Sequence, residues 1–256
     1  MLLVVDVGNT NIVIGLMEGP QVQHQWRITT GSRTTDEVGL TLLQLMRHHG
    51  VDPGEVHGAA ISCVVPSTLY ALEKGIRRYL DLPSLVVGRG TRTGVKVRMD
   101  NPREVGADRI VNAVAAIQAY GAPVIIVDFG TATTFDCVGA DGAYVGGVIA
   151  PGYQISAEAL FQRTSKLPRV ELERPKKVIG TNTVHSMQAG LFWGYVGLVD
   201  GIAARCKQEL GEGVPCIATG GLANLIAQDS AQIHRVDDTL TLRGLQILWD
   251  LNHRDS

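Results

Sequence analysis

Two short segments join a carboxylate, a glycine and small polar residues directly behind an apolar run. They are Asp6-Val7-Gly8-Asn9-Thr10-Asn11 after Leu2–Val5, and Asp128-Phe129-Gly130-Thr131-Ala132 after Val124–Val127. An acid at a strand end, followed by a glycine turn, has a definite chemical use. Gly8 lets the backbone approach an oxyanion, while exposed N–H groups and the Thr10 hydroxyl donate to its oxygens. Asp6 would repel a phosphate directly, so it would act through a hydrated Mg²⁺ that bridges to phosphate oxygens. A second carboxylate near a polyphosphate adds repulsion, so Asp128 calls for a cation partner or a place in the outer shell of Mg²⁺. A single turn of this kind is equally well a plain hairpin whose acid caps backbone amides. Two of them point to a paired grip on phosphates.

The elements that must carry these turns repeat as well. Val, Asp and Gly recur in register 122 residues apart, and the apolar run 58–64 before Pro66-Ser67 has a counterpart at 214–219 before Gly220-Gly221. Such recurrence with matching order is the mark of an internal duplication. The expected architecture is therefore α/β: two similar halves, residues 1–117 and 118–256, each a mixed sheet flanked by helices, with a nucleotide cleft between them. In the first half, strands are expected at 2–7 and 12–16, with a third around Trp26-Arg27-Ile28. A helix is expected from Thr35 to His49, with Thr35 or Asp36 as N-cap and Gly50 as terminator. Another should open at Pro66 and reach about Tyr79, followed by a short strand at Leu85–Val87. In the second half a strand at 124–130 returns through 133–138.

The polar stretch from Phe161 to Thr183 is long for a loop in a compact domain and reads as functional or as a lid. Behind it comes a long helix, roughly 184–210, that carries Gly190, Gly194, Gly197 and Gly201. Each glycine costs a helix about 1 kcal/mol relative to Ala. Close packing against another helix of the chain, or against a second copy, would offset that.

Composition excludes several classes. With 23 basic and 25 acidic residues the net charge is −2, so no global field draws nucleic acid. The longest apolar run is far short of the ~20 residues that span a bilayer. The first eleven residues lack the basic start of a signal peptide. Four dispersed cysteines without a CxxC pair suit a reducing compartment, and the expected location is cytoplasmic. Adjacent His48 and His49 point different ways on a helix, which speaks against a metal site there.

The ordered set DVGNTN (6–11), NPREVGADR (101–109), DFGTATT (128–134), GGVIAPG (146–152) and GTNT (180–183) resembles type III pantothenate kinase, within the acetate and sugar kinase/Hsp70/actin superfamily. The resemblance covers essentially the whole chain. It implies transfer of a phosphoryl group from ATP to pantothenate, the first committed step of coenzyme A synthesis, by a homodimer that uses Mg²⁺ with K⁺ or NH₄⁺. It places the phosphate hairpin on Asp6, Val7, Gly8, Asn9, Thr10, Asn11, Ile12 and Val13, with Thr131 also touching ATP. It makes Asp108 the general base and Asp128 the monovalent-cation ligand. Gly106, Ala107, Asp108, Arg109 and Thr183 fall to pantothenate. Without the resemblance, Gly106–Arg109 reads as a helix start whose dipole favours Asp108. Arg109 could meet either the substrate carboxylate or the transferring group. One departure stands out: where the family commonly has Tyr, this chain has Met99, which packs but cannot donate. A kinase for another hydroxy acceptor and an inactive regulatory relative are the alternative functions. The presence of both Asp6 and Asp108 argues against the latter.

Overall fold

The computed structural model describes residues 1–253. In chain order the elements are β1 (Leu2–Val7), β2 (Asn11–Glu18), β3 (Gln21–Thr29), α1 (Thr35–His48), β4 (Gly58–Cys63), α2 (Pro66–Leu80), β5 (Ser84–Val86) and α3 (Ala107–Tyr120). The remainder are β6 (Val124–Phe129), β7 (Ala132–Val138), β8 (Tyr144–Pro151), α4 (Tyr153–Arg163), α5 (Thr183–Leu210), β9 (Cys216–Gly220), α6 (Ala223–Ala227), β10 (Arg235–Val236) and α7 (Leu240–His253).

The strands form two five-stranded sheets with one wiring diagram. The first is ordered β3-β2-β1-β4-β5 and the second, read in the same sense, β8-β7-β6-β9-β10. Each central strand runs antiparallel to the strand after it and parallel to a later one. Even the irregularities match. A register shift falls between Leu16 and Met17, which pair with Leu3 and Leu2, and another between Cys137 and Val138, which pair with Ile125 and Val124. Asp6 and Asp128 each lie three residues beyond that step. The duplication read from two tetrapeptides therefore extends to the whole ladder.

Each unit has its own core. In the first, Val5, Val7, Ile12, Ile14 and Ile61 meet Val38, Leu42 and Met46 of α1 and Leu72 and Ile76 of α2. On the opposite face, a Cβ at Gly15 would come within 3.0 Å of Leu242 in α7, and one at Gly58 would overlap Trp249. In the second unit, Ile125, Val127, Phe135, Cys216 and Ala218 pack on Phe192, Val196, Val199 and Ala203 of α5.

Several local expectations need correction. The chain does not divide at 117/118 alone: Thr239 through the end of the described residues belongs to the first unit, and Lys96–Met99 to the second. The apolar face of α7 has its partners on β1 and β4, and Val97 bridges to Tyr144 at the edge of β8. The N-cap of α1 is Thr34. Its hydroxyl accepts from the Glu37 N–H at 3.2 Å while the Glu37 carboxylate accepts from the Thr34 N–H at 2.7 Å, a capping box. β3 is longer than expected because Gln21, Gln23, Gln25 and Arg27 alternate outward along an edge strand. Strand β8 and helix α4 were not expected, since Gly146 and Gly147 dilute the strand signal.

Candidate functional site

At the end of β1 the chain turns through Gly8–Asn11. The Gly8 N–H donates to the Asn11 carbonyl at 3.0 Å, and a Cβ at Gly8 would stand only 3.1 Å from that oxygen. Val7 and Ile12 are buried and Val13 is half-buried, so these three anchor the turn in the core. Asn9, Thr10 and Asn11 are exposed. Thr30, which the sequence reading passed over, ties the turn down. Its hydroxyl donates to the Gly8 carbonyl at 2.7 Å and its N–H to the Thr10 carbonyl at 2.9 Å. A threonine just beyond the second hairpin strand carries no motif, and only the register of β2 against β3 brings it back to the turn.

The Gly106–Arg109 segment is the start of α3. Asp108 sits in its first turn, and one carboxylate oxygen accepts from the Arg109 N–H at 2.8 Å. Gly106 leaves room for this orientation of Asp108: a Cβ there would fall 2.4 Å from that same oxygen and 3.8 Å from Val64. Burial pushes the Asp108 carboxyl above the ordinary carboxylate range, against the pull of the Arg109 N–H and guanidinium. Val64 follows β4, whose Ser62 pairs with Asp6. The fold thus brings the Asp6 turn and Asp108 to the same end of the first sheet.

In the second unit Asp128 pairs with Thr134 on one side and Thr219 on the other. Its turn closes through the Gly130 N–H on the Ala132 carbonyl at 3.1 Å. Gly220 has φ +91°, and a Cβ there would lie 2.6 Å from an Asp128 carboxylate oxygen. Thr131 is half-buried and its carbonyl is packed by Gly152, where a Cβ would come within 2.1 Å of the oxygen. That obstacle is backbone, so Gly152→Ala is expected to lower Tm and to reduce soluble yield, as thermal unfolding by circular dichroism would register. Met99 lies at the edge of β8, its sulfur 3.6 Å from where a Cβ on Gly146 would stand.

Thr183 is the first residue of α5 and is exposed; Asn182 caps the helix by accepting from the His185 N–H at 2.8 Å. It borders an open pocket of about 670 Å³ whose lining includes Leu160, Leu167, Thr181, Ser186 and Met187. The expected site residues are therefore distributed over both units. Asp6–Val13 and Gly106–Arg109 stand in the first, and Met99, Asp128, Thr131 and Thr183 in the second.

Two sheets of one topology, each with an aspartate at the end of its central strand ahead of a tight turn, define a duplicated actin-like fold. Solved structures bear out that fold. An ethanolamine utilization protein from Carboxydothermus hydrogenoformans superposes with a TM-score of 0.55 at 15% identity, covering 96% of this chain and 89% of that one. A 2-hydroxyisocaproyl-CoA dehydratase activator from Clostridium difficile, solved with ADPNP bound, does so with 0.52 at 11%, covering 99% and 96%. Within that fold, the type III pantothenate kinase family profile matches residues 2–205. The chain is 56% identical over 254 residues to the type III pantothenate kinase of Myxococcus xanthus, covering 99% of each, and 54% identical over 253 residues to that of Geotalea daltonii, covering 98% and 99%. The chain belongs to the type III pantothenate kinase family.

Proposed function

We infer that this chain transfers a phosphoryl group from ATP to pantothenate, giving ADP and 4′-phosphopantothenate at the entry to coenzyme A synthesis. The observation that carries this reading is full-length identity above one half to proteins of that name. Asp108, partly buried beside Arg109, suits the proton acceptor. An alcohol attacks poorly unless a positioned carboxylate takes its proton as the phosphoryl group arrives. The backbone N–H groups and hydroxyl of the Gly8–Asn11 turn suit the phosphates, and Thr131 suits a further nucleotide contact. Arg109 supplies positive charge for the acceptor carboxylate or the transferring group.

The donor set at Asp6 fits Mg²⁺, which would polarise the phosphates. Among the described residues no three His, Cys, Asp or Glu side chains gather as a metal site, so an ion held by Asp6 would draw its other ligands from water and phosphate oxygens. Asp128 fits a monovalent cation. The missing Cβ of Gly220 leaves room beside its carboxylate, and an ion there would neutralise a charge that otherwise repels ATP. Replacing K⁺ and NH₄⁺ by Na⁺ is expected to suppress turnover. Equal rates in all three salts would remove Asp128 from this role.

The exposed face of α5 supports a homodimer. Beyond the chain neighbours and the helix's own backbone, no heavy atom of the described residues comes within 4 Å of a Cβ placed on Gly190, Gly194 or Gly197, so packing against another part of the chain does not account for them. A second copy seated on this face would. Light scattering should give about twice 27.4 kDa. Gly194→Glu should shift the protein to the monomer; a dimer that survives it would place the seam elsewhere.

The decisive assay incubates the protein with ATP, Mg²⁺, K⁺ and pantothenate and seeks phosphopantothenate by mass spectrometry. Product confirms the reading. Nucleotide binding without product would point to another acceptor, with Met99 the first residue to exchange.

A further inference from the structure

Ser62 is fully buried at the penultimate position of β4, and its hydroxyl has no hydrogen-bond partner among the described residues. Such a group normally finds one, because an unpaired hydroxyl removed from water weakens the fold. Its surroundings restrict what that partner can be. Ser62 pairs in register with Asp6 on β1, where neighbouring strands lie about 4.8 Å apart and paired residues share a face. On the far side of β4, Ile61 pairs with Val86 and its carbonyl accepts from the Val87 N–H. Val64, two residues further on, touches the position where a Cβ of Gly106 would stand, two residues before Asp108. Ser62 is thus the strand neighbour of Asp6 and stands two residues before the chain meets the segment that leads into Asp108. The duplicated half places a hydroxyl in the same relation, Thr219 paired in register with Asp128.

We propose that Ser62 is a positioning residue for nucleotide binding: its hydroxyl, unpaired in this structure, turns upon nucleotide binding to donate to the Asp6 carboxylate and holds that side chain in the orientation that meets Mg²⁺·nucleotide. An ionised carboxylate accepts several hydrogen bonds, so a donor from the neighbouring strand leaves lone pairs for waters around the ion. Serine can swing its hydroxyl among three staggered positions without moving the backbone. The inference rests on the proposed nucleotide role of Asp6.

The test separates stability from binding. Ser62→Ala removes an unpaired buried hydroxyl without adding volume, so Tm is expected to stay level or to rise by about 2–4 °C. Affinity for a non-hydrolysable ATP analogue with Mg²⁺, measured by titration calorimetry, is expected to fall about tenfold, the size of one lost charge-assisted hydrogen bond. Ser62→Cys, which keeps a weak donor, should recover part of that affinity. Unchanged affinity in Ser62→Ala would overturn the proposal, as would a lowered Tm with affinity intact, the signature of a structural partner such as a buried water. The readout needs no acceptor. Wild-type protein that binds the analogue yet leaves pantothenate unphosphorylated would contradict the proposed function, and the Ser62→Ala comparison would still decide this inference.

Discussion

Asp108→Asn lowers turnover by about two to four orders of magnitude, the usual span for loss of a positioned general base. Affinity for ATP, measured with a non-hydrolysable analogue, changes little. Asn keeps an oxygen that can accept from the Arg109 N–H and keeps the volume, and loses only the ability to take a proton. The same variant carries a stability signature whose sign follows from burial. The Asp108 carboxyl is raised above its ordinary value, so its contribution to stability is present below the unfolded-state pKa and is lost as pH rises through the folded one. Asp108→Asn should therefore melt above wild type near pH 8, with the gap closing in acid. The acid limb of the wild-type kcat/KM profile should lie above the ordinary carboxylate range for the same reason. Near-wild-type turnover in the variant, measured by coupled ADP release, would take Asp108 out of the base role.

Gly106→Ala should cost activity without costing the fold. The backbone at Gly106 lies outside the left-handed region, so alanine is tolerated there. The new methyl meets the end of the Asp108 side chain, which can rotate away, and not a fixed backbone atom. The carboxylate is displaced by the substitution that leaves it chemically intact. A misplacement of about 1 Å can cost about a hundredfold in rate. The expectation is a kcat loss of about 10- to 100-fold with Tm within a few degrees of wild type. A kcat that stays near the wild-type value would mean that Asp108 works from more than one orientation. The contrast with Gly152→Ala, where the obstacle is the Thr131 carbonyl, makes the pair informative: one glycine serves an orientation and the other a packing contact.

Much of this was legible in the sequence because the chemistry is local. An acid, a glycine and a hydroxyl within five residues need only a strand and a turn to act together, and both hairpins formed where the pattern placed them. The internal repeat was legible for a related reason, since short apolar runs ending in an acid and a glycine mark strands whatever they pair with. What escaped the reading depends on pairing partners distant in the chain. Thr30 and Ser62 carry no motif, and each gains its meaning from the strand beside it. Strand β8 was hidden by its own glycines. The return of α7 to the first unit could not be read from its helical pattern, which specifies a face to bury and not the sheet that will receive it.

That return sets an order on synthesis. Leu2, Val4 and Ala60 lie on the face of the first sheet toward which Leu242 and Trp249 of α7 pack, yet α7 is the last element of the described chain. A ribosome adds residues at about 5–20 per second, so on the order of ten seconds separate the end of α3 from the start of α7. Throughout that interval the first sheet carries an uncovered apolar face on the nascent chain. The protein is thus one whose earliest element is completed by its latest. Severing the chain after α3 would not yield a free-standing first half but a sheet lacking one of its two walls.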